Sequence, residues 1–147
     1  MKEIRDAQVT EVMRPGKVAV VKLPLFASSP SAGFPAPGDD QVEKILDIND
    51  LVVKNPASTF FVRVEGDSMT GAGIFSGDVL VIDRSKEAKD GLIVVAAVNG
   101  ELVVKRLSIQ GNEHLLVSEN EAYKPIVIGD DEECFVWGVV VGSVRIF

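Results

Sequence analysis

Residues 92–107 read LIVVAAVNGELVVKRL, and this stretch decides the expected fold. It holds two short runs of mostly branched apolar residues on either side of Asn99-Gly100, a dipeptide typical of the two-residue turn of a β-hairpin. Branched side chains favour strands because they pack well on a pleated sheet. The stretch therefore predicts two antiparallel strands joined by a tight turn.

The sequence on both sides of this hairpin, from Ser58 to the C-terminus, has the same strand-like pattern. Short apolar runs bounded by turn residues predict strands at 59–64, 78–83, 113–118, 125–128 and 133–147, the last bent at Gly138 and Gly142. One or two helical turns are expected before Pro56, which ends the apolar pattern there. We therefore predict a mainly β fold, a strongly curved antiparallel β domain with an extended N-terminal arm.

The charge balance of the chain limits its functions. Its 147 residues include 15 basic and 22 acidic side chains, for a net charge of −7 at pH 7. Binding phosphates needs a surplus of lysine and arginine, so we expect no direct specific DNA binding. The sequence shows neither an apolar run long enough to span a bilayer nor the pattern of a secretory signal. We expect a cytoplasmic protein that does not bind membranes.

The sequence offers no pattern for metal or cofactor binding. Cys134 is the only cysteine and His114 the only histidine, which excludes a zinc-type cluster and favours ordinary strand positions for both. Glycine-rich nucleotide-binding patterns and the hydrolase elbow each fail at a required position. We expect no metal and no cofactor.

The N-terminal arm differs from the rest of the chain in charge and composition. Residues 1–32 carry a net charge of +2, against −9 for residues 33–147. This contrast favours an arm that folds back over an acidic body. Residues 27–38 are almost all Ala, Ser, Pro or Gly, which resist both helix and sheet and predict an extended, accessible linker.

A glycine-rich loop at residues 65–78 contains a candidate nucleophile. Gly66 permits a sharp turn at the end of the preceding strand, so that Ser68 can face a ligand with backbone N–H groups close by. Loops of this composition are usually simple connections. Taken alone, the loop is thus compatible with either a turn or a catalytic site.

Lys105 is a candidate general base. On a strand, Lys105 shares one face with Val103 and Leu107, whereas Arg106 shares the other with Leu102 and Val104, so one of the two cations lies on an apolar face. Burial would lower the pKa of a lysine and leave a neutral amine that can accept a proton, which arginine cannot do. The alternative is a surface lysine on an edge strand.

Several motifs occur in an order and spacing that resemble one family. They are Gly66-Asp67-Ser68-Met69, Gly73-Ile74-Phe75-Ser76-Gly77-Asp78 and residues 100–107 with Lys105, accompanied by Ala32-Gly33-Phe34-Pro35, Ser118-Glu119-Asn120 and residues 135–140. Over roughly residues 30–147 the chain resembles the Ser/Lys self-cleaving (autopeptidase) family of the LexA repressor and UmuD. The resemblance implies the β fold of that family's C-terminal domain.

The resemblance also implies the site residues. Ser68 is the expected nucleophile and Lys105 its base, with the backbone N–H groups of Asp67 and Ser68 stabilising the oxyanion. The expected target is the chain's own Ala32–Gly33 bond. The residue before this bond is alanine, as in LexA, whereas UmuD members typically have cysteine at that position.

The implied domain organisation follows from that cut. Residues 1–32 form an arm removed by self-cleavage, and residues 33–147 form the β-rich peptidase-like domain, with 33–38 as a flexible linker.

Within the family, the chain resembles UmuD more than LexA. Few residues precede Gly33, and Arg14-Pro15-Gly16 would break a helix-turn-helix motif there. The resemblance implies an SOS-response mutagenesis protein whose cleavage is stimulated by a RecA filament on single-stranded DNA. Its trimmed form is then expected to be a homodimer that serves a Y-family (UmuC-like) translesion DNA polymerase as an accessory subunit.

Three alternatives stay open on sequence grounds. The chain could be a fragment of a LexA-like or phage-repressor-like regulator lacking its DNA-binding domain. It could be a relative of type I signal peptidase, which uses Ser/Lys chemistry but carries a membrane anchor. It could also be a non-catalytic β interaction module with a proline-rich tether.

Overall fold

A computed structural model describes residues 6–16, 22–26, 42–129 and 133–147 of the chain. The described residues form two units: one from those within Met1–Pro15 and Asn55–Phe147, the other from those within Gly16–Lys54. The expected linker 33–38 and the expected domain boundary at Ala32–Gly33 lie outside the described residues. That division into domains stays a prediction.

The larger unit is built on one eight-stranded sheet with neighbouring strands in the order β1-β4-β5-β10-β6-β7-β8-β9. All of its pairings are antiparallel. Its strands are β1 (Gln8–Met13), β4 (Thr59–Glu65), β5 (Val79–Asp83), β6 (Ile93–Val98), β7 (Glu101–Gln110), β8 (Glu113–Val117), β9 (Ile126–Ile128) and β10 (Cys134–Val144). The predicted mainly β fold is confirmed.

The sheet curls back on itself through β1. Gln8 pairs with Glu65 of β4 and also with Val103 of β7, although β4 and β7 are far apart in the strand order. A strand that contacts both partners requires strong coiling of the sheet, as the sequence predicts. The sequence predicts an arm at residues 1–32 and carries no signal for β1, which lies within that range.

The predicted hairpin forms at residues 93–110. Asn99 and Gly100 both have positive φ, 51° and 83°, as a type I′ turn requires. The register pairs Val98 with Glu101 and continues to Ile93 with Arg106. This register places Lys105 opposite Val94, which is fully buried.

The predicted interruptions of the last strand are β-bulges. The register of β10 shifts between Val136 and Gly138 against β6, and between Val140 and Gly142 against β5. A Cβ added at Gly138 would lie 2.5 Å from Cγ2 of Ile82, so only glycine permits this close approach.

Buried apolar side chains form two clusters. The cluster beside the glycine-rich loop contains Ala7, Val62, Val64, Met69, Ile74, Leu80, Ile82, Val95 and Val104. The other contains Val94, Ala96, Val103, Leu107, Leu116 and Val139. Ala7 is the member from the N-terminal segment, and it joins that segment to the core of the larger unit.

The smaller unit has a two-stranded antiparallel sheet of β2 (Lys22–Phe26) and β3 (Val42–Asp47), followed by helix α1 (Ile48–Val52). Asp47 caps the helix because its Oδ1 accepts a hydrogen bond from the N–H of Asn49 at 2.9 Å. The expected helical turns before Pro56 are therefore present. Among the described helices, none has the length and apolar composition needed to cross a membrane.

Candidate active site

The glycine-rich loop between β4 and β5 holds Ser68 at the end of a buried strand. Gly66 has a φ of 114°, a conformation that favours glycine, and it turns the chain directly after β4. Met69 follows Ser68 and is fully buried in the core, and its carbonyl accepts hydrogen bonds from the N–H groups of Ala72 and Ile74. The loop therefore fixes the position of Ser68 by packing and by backbone hydrogen bonds.

The far end of this loop is tied to the C-terminal residues. Arg145 donates to both carboxylate oxygens of Asp78, at 2.8 and 2.7 Å, and to the carbonyl of Gly73 at 2.7 Å. The hydrogen bond from Arg145 holds the pKa of Asp78 below its usual value, against the opposing effect of burial. The Arg145 guanidinium also lies 4.4 Å from the ring centroid of Phe75. These contacts restrain the loop on the side away from Ser68.

Ser68 is fully buried, and its hydroxyl is engaged by the N-terminal segment. Its Oγ accepts a hydrogen bond of 2.7 Å from the backbone N–H of Ala7. The carbonyl of Ala7 in turn accepts a hydrogen bond from the N–H of Val104, the residue before Lys105. The chain at Ala7 thus connects the serine loop with strand β7.

Lys105 is buried on β7, which is one of the two outcomes that the strand pattern leaves open. Its side chain is 2% exposed, and its Nζ donates to Oδ1 of Asp6 and to Oγ of Ser118, both at 2.6 Å. The same Nζ lies 5.2 Å from the ring centroid of Tyr123. The adjacent cation, Arg106, is only partly buried and pairs with Glu119. The cation that lies on the apolar face is therefore the lysine, and the reading as a surface lysine is wrong.

The structure brings Ser68 and Lys105 to one dipeptide, Asp6-Ala7. Oγ of Ser68 contacts the amide of Ala7, and Nζ of Lys105 contacts the carboxylate of Asp6. Within the residues that the structure describes, no hydrogen bond joins Oγ of Ser68 directly to Nζ of Lys105. The serine hydroxyl and the lysine amine therefore each hydrogen-bond to the same short segment.

A connecting segment, residues 118–123, links the lysine strand to the serine loop. The carbonyl of Glu119 accepts from the N–H of Gly71 at 2.9 Å, and a Cβ at Gly71 would lie 2.6 Å from that oxygen. Asn120 donates from Nδ2 to the carbonyl of Asp67 at 3.1 Å. The connecting segment thus restrains the loop on the side of Ser68.

Tyr123 completes this link. Its hydroxyl donates to Oδ1 of Asp67 at 3.2 Å. Burial raises the pKa of Tyr123 to about 12, with further contributions from that hydrogen bond and from the negative charges of Asp67 and Asp6. The phenol is therefore neutral at ordinary pH, as its donor role requires.

The structure places the other predicted residues as follows. His114 is exposed on β8, and Cys134 is partly buried at the start of β10, both on strands as expected. Ala32 and Gly33 lie outside the described residues. In the described part of the chain, no three His, Cys, Asp or Glu side chains are grouped to hold a metal ion.

Sequence reasoning missed Asp6, Ser118 and Tyr123. Asp6 is 99 positions from Lys105 in the chain, and no local pattern connects the two. Ser118 follows a predicted strand, and the motif Ser118-Glu119-Asn120 was the one signal that marked this region. A role for Ser118 beside Lys105 depends on how β8 pairs with β7, which a single sequence does not reveal.

Comparison with known proteins supports the resemblance drawn from the motifs. Residues 24–141 match the family described as Peptidase S24-like. Protein ImpA of Salmonella typhimurium is 41% identical over 118 residues, which cover 80% of this chain and 79% of that protein. Protein SamA of the LT2 strain of Salmonella typhimurium is 41% identical over 122 residues, with coverage of 83% and 84%. Protein MucA of Escherichia coli is 37% identical over 128 residues, with coverage of 87% and 88%.

Proposed function

This chain belongs to the Peptidase S24-like family of self-cleaving serine peptidases, and from that membership we propose that it is a UmuD-like SOS mutagenesis protein that cuts its own Ala32–Gly33 bond. Ser68 is the nucleophile and Lys105 the general base. One observation carries this assignment: a fully buried lysine amine and a fully buried serine hydroxyl hold adjacent residues of the same peptide segment.

In the first half of the proposed reaction, neutral Lys105 takes the proton from Oγ of Ser68 as that oxygen bonds to the carbonyl carbon of Ala32. The carbonyl oxygen becomes negative in the tetrahedral intermediate. The backbone N–H groups of Asp67 and Ser68 are the proposed donors to this oxyanion. Burial of the site strengthens these interactions because water is excluded.

In the second half, the bond between the Ala32 carbonyl and the Gly33 nitrogen breaks. Protonated Lys105 gives its proton to the leaving amine, and the acyl group of Ala32 stays on Ser68 as an ester. Water then attacks the ester carbonyl while Lys105 accepts a proton from it. The bond between Oγ of Ser68 and the acyl carbon breaks, and Lys105 returns the proton to Oγ. The products are two fragments, residues 1–32 and residues 33–147.

Ser118 is the proposed orienting group for the base. Its Oγ accepts a hydrogen bond from Nζ of Lys105 at 2.6 Å. An acceptor beside Nζ restricts the rotation of a long flexible side chain and directs its remaining N–H bonds or lone pair. Ser118 thereby keeps the amine near the serine loop.

The proposed partners follow from family membership. A RecA filament on single-stranded DNA promotes the cut by stabilising the arrangement in which the Ala32 segment occupies the site. The trimmed protein forms a homodimer and serves a Y-family, UmuC-like polymerase as an accessory subunit. A cytoplasmic location stays a prediction.

The proposal is tested by incubating the purified full chain at alkaline pH and measuring fragment masses over time. We expect fragments covering residues 1–32 and 33–147 from the parent chain. Ser68→Ala should give neither fragment, and Lys105→Ala should slow their formation by at least about a hundredfold, the usual contribution of a general base.

Two matched controls accompany these variants. Ser108→Ala removes another strand serine, and Lys54→Ala removes an exposed lysine; both should cleave at the parent rate. Cleavage of Ser68→Ala at the same bond would show that a contaminating protease is responsible and would refute the assignment.

A further inference from the structure

The segment formed by residues 6–13 lies against the two proposed catalytic side chains, and it is not the segment that the proposed reaction cuts. We propose that this segment occupies the site as an uncut substrate mimic, and that self-cleavage at Ala32–Gly33 begins when it leaves. The inference rests on the proposed function, because it concerns access to the same serine and lysine.

The backbone of this segment binds as a substrate strand would. β1 pairs antiparallel with β4 from Gln8–Glu65 to Met13–Phe61, and Gln8 also pairs with Val103 of β7. The hydrogen bond from Val104 N–H to the Ala7 carbonyl, at 3.0 Å, continues this contact into the site. Adding an extended strand to a sheet edge is a general way for proteins to bind peptides.

The side chain of Ala7 fills a small closed pocket. Ala7 is 1% exposed and lies in the core cluster with Met69 and Val104, both fully buried. A pocket of this size accepts a methyl group but no larger side chain without displacement of its walls. The residue before the proposed cut, Ala32, also ends in one methyl group. Ala7 and Ala32 therefore meet the same steric requirement.

The serine geometry explains why the segment itself is not cut. Oγ of Ser68 accepts the N–H of Ala7, and this N–H lies in the plane of the Asp6–Ala7 peptide group. An oxygen on the N–H axis lies near that plane. Attack on a carbonyl carbon requires approach from above or below the plane. The hydroxyl is thus held in a non-reactive position.

The lysine contact also opposes catalysis. Nζ of Lys105 donates to the carboxylate of Asp6 at 2.6 Å, and the Asp6 side chain is 29% exposed whereas that of Lys105 is 2% exposed. This hydrogen bond directs the amine at the Asp6 carboxylate, while a general base must direct its lone pair at the serine hydroxyl. When the segment leaves, Lys105 loses this carboxylate and keeps the neutral acceptor Ser118.

Release of the segment therefore has two effects: it vacates the strand position and the methyl pocket, and it frees the amine of Lys105 from the Asp6 carboxylate. The fraction of molecules with a vacant site sets the observed cleavage rate. A promoter of cleavage can then act by favouring the vacant form, without contributing a catalytic group.

The test compares self-cleavage of full-length variants at one fixed pH. Asp6→Asn removes the carboxylate that contacts Nζ of Lys105, and the side chain of Ala7→Phe does not fit the pocket. Each variant should cleave on the order of tenfold faster than the parent chain. Asp50→Asn and Ala57→Phe are the matched controls, because both positions are exposed and lie outside the segment 6–13. They should cleave at the parent rate.

A second measurement does not depend on cleavage. Hydrogen exchange at the amide of Val104, which donates to Ala7, should be faster in Asp6→Asn and Ala7→Phe than in the two controls. Unchanged exchange and unchanged cleavage in both variants, with Lys105→Ala inactive, would overturn this inference and leave the proposed function intact.

Two further outcomes distinguish the two proposals. A fragment that begins at Ala7 or Gln8 would show that the segment is itself a substrate, which contradicts the inference. Faster exchange at Val104 without cleavage in any chain would support displacement of the segment and contradict the proposed self-cleavage.

Discussion

Lys105 shows how a single buried cation can be accommodated in a β-sheet. It lies between Val104 and Arg106 on β7, and its amine is satisfied by a carboxylate and a hydroxyl. A buried ammonium without partners would cost several kcal/mol, so these contacts are what make the position tolerable. The two partners differ in the proposed reaction, because the Ser118 hydroxyl orients the amine whereas the Asp6 carboxylate belongs to the segment that must leave.

Ser118→Ala provides a test of the orienting hydroxyl. We expect self-cleavage to slow by about tenfold, because the amine loses its acceptor and its fixed direction. Ser118→Thr should restore most of the rate, since it returns a hydroxyl at the same place. Ser108→Ala serves as the control, and thermal unfolding of each variant checks the fold. A rate for Ser118→Ala equal to that of the parent would exclude the orienting role.

Tyr123 provides a spectroscopic test of the connecting segment. It is the only tyrosine, so the ultraviolet absorbance of phenolate reports one group. Because burial raises its pKa to about 12, we expect ionisation at about pH 12 in the folded chain and about pH 10 in denaturant. A folded-state midpoint near pH 10 would show that the phenol is not shielded.

The sign of this shift gives a stability prediction. The pKa is higher in the folded chain, so the stabilisation from the neutral phenol is fully present below about pH 10 and is lost as pH rises towards 12. In Tyr123→Phe, the free energy of unfolding should therefore fall less than in the parent chain as the pH rises from about 10 towards 12. Denaturant unfolding at several pH values measures this difference.

The end of β5 contains a second polar cluster, remote from Ser68. Asp83 is buried, and its carboxylate accepts hydrogen bonds from Asn55 Nδ2 and Ser58 Oγ, both at 2.8 Å. Ser85 adds its N–H at 2.9 Å and its hydroxyl at 2.6 Å. The Ser85 hydroxyl contributes most to a strongly lowered pKa of Asp83, while burial opposes that shift. These hydrogen bonds connect the residues just before β4 with the end of β5.

Asp83→Ala is expected to lower the free energy of unfolding at pH 7 by about 3 kcal/mol, because several donors lose a charged acceptor. Because the pKa of Asp83 is lower in the folded chain, its charge stabilises the fold at pH values above about 3.9, the pKa in the unfolded chain. This contribution is lost as the pH falls through the pKa of the folded chain. The difference between variant and parent should therefore shrink in strong acid. Glu87→Ala, at an exposed position, is the control for denaturant unfolding. If the decrease in the free energy of unfolding caused by Asp83→Ala does not depend on pH, the carboxylate charge does not stabilise the fold.

Local elements were predictable from sequence because their causes are local. Asn99-Gly100 dictates a turn, and branched residues on both sides dictate the β6–β7 hairpin. Alternation along β7 predicts that either Lys105 or Arg106 lies on an apolar face, but it does not decide which of the two is buried. The strand at Gln8–Met13 was not predictable in this way, because its pairing with β4 involves residues about fifty positions distant and its sequence carries no turn signal towards them. Asp6 was not predictable as a partner of the lysine for the same reason, since the two residues are 99 positions apart.

The larger unit depends on both ends of the chain. Residues from the N-terminal segment complete its core and its sheet, while Arg145 near the C-terminus restrains the serine loop. The proposed cut would remove residues 1–32, whose net charge is +2, and leave a body with a net charge of −9. The proposed reaction therefore changes the electrostatic character of the whole protein as well as its length.

Because β1 is contributed by residues that precede Ala32, scission also decides whether β1 can return to the sheet position that it leaves before the cut. Before the cut, β1 is tethered and its effective concentration at that position is high; afterwards it is a separate peptide whose rebinding depends on dilution. Displacement of β1 is thus reversible before hydrolysis, and in dilute solution it becomes effectively irreversible afterwards. The cut would then preserve a form of the sheet that the intact chain adopts only transiently.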